Sequence, residues 1–132
     1  MHFLKRRRIL RKVSALDLIP VRLYQYEENE LNRIAILYPR FKNKRISLLF
    51  DPGQNKPFIR IRLDHKGSVI WKTIDESIPV SEISKRIFLQ YPELFDTLEE
   101  TGIQITRFIS LLYQHKYITF KQFEHGPAAG KA

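Results

Sequence analysis

The sequence predicts an α+β fold, and three observations carry that reading. Apolar and polar residues alternate through 21–26, 33–38, 45–50 and 57–63, the pattern of strands with one buried and one wet face. From Asp64 onward the period lengthens to about 3.6 residues, which marks helices. The run Tyr117-Ile118-Thr119-Phe120 then returns to β-branched and aromatic residues. N-terminal antiparallel strands, a three-helix bundle and a short terminal strand together make an α+β, winged-helix-like arrangement.

Residues 1–18 read as a basic arm, with Lys5, Arg6, Arg7, Arg8, Arg11 and Lys12 crowded into eight positions. Ile9, Val13 and Leu16 are spaced for a short amphipathic helix that ends before Pro20. The polar run 27–32 separates the first two strands and predicts a hairpin with a long connection. The third strand, 45–50, is stopped by Asp51-Pro52-Gly53, a strong turn signal. In the fourth, Ile59, Ile61 and Leu63 form the core face and Arg60 and Arg62 the wet one.

Asp64 follows directly and is placed to cap a helix over 64–75. Val69, Ile70, Thr73 and Ile74 share its apolar face, and the single Trp71 reads as core. Gly67 lies early in that helix, where glycine costs about 1 kcal/mol relative to alanine, and predicts close approach of another backbone. Val80, Ile83, Ile87 and Tyr91 mark a second helix. Thr97 and Glu100 form a capping box for a third, with Leu98, Ile105, Ile109 and Leu112 as its core stripe. Phe108, Leu111 and His115 lie beside that stripe at i, i+3 and i+7. They either widen the core face or form an apolar wall for a ligand.

A length of 132 residues suits one domain, taken as 19–121, with 122–132 as a flexible tail. The 43% hydrophobic and 12% aromatic content is that of a folded, soluble chain. The absence of cysteine excludes disulfides, thiolate zinc sites, Cys-ligated clusters and Cys nucleophiles, and suits a reducing cytoplasm. His2, His65, His115 and His125 show no ligand spacing, and no glycine-rich phosphate loop or nucleophile elbow is present. The expectation is a non-catalytic protein without metal or cofactor. No run nears the roughly 18 apolar residues of a membrane span.

Charge is unevenly spread: residues 1–62 carry a net +10 and residues 63–132 a net −1. A basic first half suits an acidic partner surface. Nucleic acid is the rival partner, reached through the arm. The third helix is a poor reader of bases, since Arg107 and Lys116 are balanced by Glu99 and Glu100 and its first turn is acidic.

The string Leu63-Asp64-x-x-Gly67-Ser68-x-Ile70-Trp71-x-x-Ile74-Asp75, followed by Val80-x-Glu82-Ile83, resembles the PqqD-like family. Phe108-x-x-x-Leu112-x-x-x-Lys116-Tyr117-Ile118 is similar to the end of that family's domain, so the resemblance spans roughly 57–120. Leu18-Ile19-Pro20-Val21-Arg22 looks like a longer subtype with an N-terminal extension. Two departures stand out: Glu76 follows Asp75 where glycine is usual, and Pro79 replaces a Ser or Thr. The resemblance implies a peptide chaperone that captures the leader of a ribosomally made precursor peptide. It would present that leader to a modifying enzyme, commonly a radical SAM protein. The leader would add as a strand along 58–63, engaging Phe58, Ile59, Arg60, Ile61 and Arg62. Phe108, Leu111 and His115 would wall the groove. Arg60 and Arg62 would select an acidic leader, or else only guard an edge strand against aggregation. An open strand edge also predicts a possible homodimer.

Overall fold

A computed structural model of the chain describes residues 14–39 and 58–124. The elements run as a 3-10 turn (Ala15–Asp17), β1 (Pro20–Arg22), β2 (Tyr26–Glu28), β3 (Ile34–Pro39), β4 (Phe58–Arg62), α1 (His65–Thr73), α2 (Val80–Gln90), α3 (Leu98–Gln114), β5 (Ile118–Phe120) and α4 (Lys121–Glu124). The fold is α+β, with antiparallel strands first, then helices, then a short strand. The expected strand at 45–50, its Asp51-Pro52-Gly53 turn and the six clustered cations of the arm lie outside the described residues.

The chain divides into two compact units: Tyr24–Ser68, and Met1–Leu23 with Val69–Ala132. The chain crosses between them after Leu23 and again inside α1. That first crossing breaks the strand expected over 21–26. Its beginning joins β5, with Val21 opposite Thr119, while Tyr26 pairs with Ile36 in a separate sheet. Alternation reports a strand's two faces but not its partner, so one periodic run conceals two sheets.

In the strand unit the sheet order is β2-β3-β4, all antiparallel. The β2–β3 turn is tight rather than long, because Glu27 and Glu28 of the polar run belong to β2. Asn29 builds the turn: its side-chain oxygen accepts from the amides of Leu31 (2.9 Å) and Arg33 (3.0 Å), and Asn32 adopts a left-handed φ of 61°. Asparagine tolerates that conformation better than most residues. Asp64 caps α1 as expected, its carboxylate accepting from the Gly67 amide at 2.7 Å. Ser68, wholly buried, then ties strands to helix. The Ile34 amide donates to its hydroxyl oxygen at 2.8 Å, and the hydroxyl lies 3.4 Å from the Leu63 carbonyl as donor.

The helical unit holds most of the buried apolar side chains. Ile70, Trp71 and Ile74 follow α1, Val80, Ile83 and Ile87 line α2, and Ile105, Ile109 and Leu112 line α3. Thr97 caps α3 by accepting from the Glu100 amide at 3.0 Å. Leu98 is exposed rather than part of the stripe, and Thr101 fills the buried position, its hydroxyl donating to the Thr97 carbonyl at 2.7 Å. A threonine that satisfies its own hydroxyl can occupy a core position, which an apolar-only reading overlooks.

The turn between α1 and α2 is held by Asp75. The Asp75 carboxylate accepts from the Ser77 hydroxyl (2.8 Å) and amide (3.2 Å), so the turn closes without positive φ at Glu76. Pro79 stands at the N-cap of α2 with extended backbone. The end of α3 is a Schellman closure: the Tyr117 amide donates to Leu112 and the Lys116 amide to Tyr113, with Lys116 at φ 65° where glycine is usual.

Secondary structure extends past 19–121 toward both termini. Leu18 is buried and its carbonyl accepts from the Val80 amide at 2.9 Å. Residues 122–124 belong to α4: Phe123 is buried, and Gln122 bonds the Asp17 carbonyl and the Ile19 amide.

Candidate functional site

β4 is the last strand of its sheet among the described residues, so one of its edges meets no described strand. Which groups face that edge follows from the ladder. The Leu63 amide donates to the Ile34 carbonyl at 2.9 Å, and Ile61 and Ile59 lie opposite Ile36 and Tyr38. On the far side of β3, the Leu37 amide donates to Gln25. Antiparallel pairing alternates every residue, so the N–H and C=O of Arg60 and Arg62 turn toward the open edge.

The side chains of β4 do not follow the simple two-faced reading. Ile61 is only half-buried, and burial fades along the strand until Ile59 is 44% and Phe58 40% exposed. Ile59 is therefore not a core residue. Its neighbour across the ladder, Tyr38, packs edge-to-face on Tyr24 with ring centres 5.0 Å apart.

On the other face, Arg60 is already engaged. Its guanidinium donates to the Glu27 carboxylate at 2.8 Å, reaching past β3 to β2. That hydrogen bond, more than the charge attraction, holds the Glu27 carboxyl below its ordinary range and raises the Arg60 guanidinium. Arg62, exposed on the same face, makes no ion pair with a described residue. Of the two arginines expected to read acidic side chains, Arg62 is the one that meets no described carboxylate.

Phe108, Leu111 and His115 lie on α3 in the helical unit. Phe108 is half-buried, Leu111 is 51% exposed, and His115 caps the helix while its ring stacks on Tyr117 at 5.6 Å. The last two do not widen the core. Trp71 does belong to the core, and the Arg22 guanidinium, 3.2 Å from its carbonyl, lies 6.0 Å from its ring centre.

Two concavities in the helical unit escaped the sequence reading. One is polar, about 720 Å³, lined by Arg22, Lys72 and Arg86 with Asp75 and Glu76. The other is apolar, about 580 Å³, between the 3-10 turn, α2 and α3. Leu16 is expected on the amphipathic helix of the arm and Leu98 in the core stripe of α3, but both stand exposed at this groove. Among the described residues no helix is long and apolar enough to cross a membrane, and no cluster of three or more His, Asp or Glu could hold a metal ion.

No protein-family model, curated protein or solved structure matches the chain. The functional reading rests on the residues themselves.

Proposed function

We propose that the chain is a peptide-binding protein that takes up an extended segment along β4 by strand addition. The observation that carries the reading is the open edge of β4, with the backbone groups of Arg60 and Arg62 turned outward and Phe58 and Ile59 exposed. Backbone pairing would supply affinity, and the exposed apolar side chains would supply register. The resemblance to PqqD-like domains makes the ligand the leader of a precursor peptide, handed on to a modifying enzyme such as a radical SAM protein. Arg62 favours a leader with carboxylates, and such a leader would compete with Glu27 for Arg60.

Titrating the full chain with short peptides encoded beside its gene tests this. Binding that places chemical-shift changes in residues 58–63, and that weakens in the Arg60→Glu, Arg62→Glu double variant, supports acidic-leader capture. Deleting residues 1–12 separates the rival reading. Peptide binding at β4 survives that deletion, whereas nucleic-acid binding through the arm is lost with its six cations. If only oligonucleotides bind, and only with the arm present, the peptide reading is wrong.

A further inference from the structure

The apolar groove of the helical unit has a glycine that nothing in the fold requires. Gly102 stands inside α3, where glycine costs about 1 kcal/mol relative to alanine. Its φ is not positive, and a Cβ added there would meet nothing within 4 Å. Neither backbone geometry nor close packing accounts for it. What the missing side chain does is keep the groove deep. Around it Leu16, Leu98 and Ile103 are 41%, 43% and 43% exposed, three aliphatic side chains gathered into one concavity.

The charged lining indicates what fills it. Lys85 and Arg107 line the groove, and neither makes an ion pair with a described residue. Glu99, the one acidic lining residue, sits in the first turn of α3, where the helix dipole already favours it. The described lining thus carries two cations against one carboxylate, a balance that favours an acidic occupant over the chain's own cation-rich arm.

We propose that this groove docks an amphipathic helix of a partner protein, with apolar side chains at i, i+3 and i+7 seated over Gly102 and carboxylates facing Lys85 and Arg107. Apolar anchors flanked by complementary charge are the usual terms of helix-in-groove recognition. The surface lies wholly in the helical unit, and its occupancy does not depend on whether β4 takes a peptide.

The test uses two designed helical peptides of about 14 residues. Both carry leucine at i, i+3 and i+7, and they differ only in having glutamate or lysine at the flanking positions. The glutamate peptide shifts the Gly102 and Ile103 amides of the labelled full chain, and the lysine peptide does not. Lys85→Glu with Arg107→Glu weakens the glutamate peptide at least about tenfold. Gly102→Phe fills the groove and abolishes binding, whereas Gly102→Ala still binds and melts higher, which separates a blocked groove from a damaged helix. The proposal is overturned if the glutamate peptide moves neither amide, if both peptides bind alike, or if Gly102→Phe binds normally. It also fails if deleting residues 1–13 shifts Gly102, without peptide, as far as the peptide does. The arm would then be the occupant.

Discussion

The two units invest their apolar residues differently. In the helical unit, Trp71, Ile74, Ile83, Ile87 and Ile105 are almost wholly buried and the helices are capped and closed by hydrogen bonds. In the strand unit, Ile34 and Ile36 are the only large apolar side chains buried among the described residues, while Tyr26, Leu31, Phe58 and Ile59 are exposed. Large exposed apolar side chains on an edge strand are a liability unless a partner covers them. The contrast puts the stabilising burial in the helical unit and leaves apolar side chains of β4 uncovered, as the proposed peptide uptake requires.

That contrast is sharpest in truncations. Trp71→Ala should cost about 3–5 kcal/mol in chemical denaturation, the range for a buried aromatic. Ile59→Ala should cost under about 1 kcal/mol while weakening peptide uptake. Equal losses at the two positions would erase the distinction. Ser68→Ala comes next. It leaves the Ile34 amide without its acceptor, at about 1–3 kcal/mol, and should raise hydrogen exchange at Ile34 and Leu63. Lys116→Gly works in the opposite direction. Relieving a left-handed lysine at the end of α3 should stabilise by up to about 1 kcal/mol, read as a higher melting temperature.

The smallest effect is on pH. The Glu27 carboxyl is held below its ordinary range by the Arg60 guanidinium, so its contribution is present above the unfolded value and is lost as pH falls through the folded one. Both partners are exposed, so the change in stability is slight. The useful readout is Arg60 itself. Glu27→Gln should free it at neutral pH and tighten an acidic peptide, and a looser complex would show that Glu27 positions Arg60 rather than competing for it.

Much of the fold was legible because helices write themselves locally. Asp64, Thr97 and the Ile105, Ile109, Leu112 stripe each announce a cap or a buried face within a few residues. What alternation could not convey was partnership. Val21 and Tyr26 belong to one periodic run yet pair with Thr119 and Ile36, nearly the length of the chain apart in one case. The edge at 58–63 was legible as a strand, but the Arg60–Glu27 bridge was not, since it depends on the register of three strands. The groove was hidden for a related reason: Leu16 and Leu98 carry core-like spacing, and only their packing shows that they stay uncovered.

Hydrogen exchange at β4, read residue by residue with and without the neighbouring gene's peptide, tests the central claim most directly. Ile59, Ile61 and Leu63 amides face β3 and should be protected in both states, whereas Arg60 and Arg62 should exchange freely alone and become protected on binding. Protection of Arg60 and Arg62 without any peptide, or no change when one binds, would contradict strand addition at this edge.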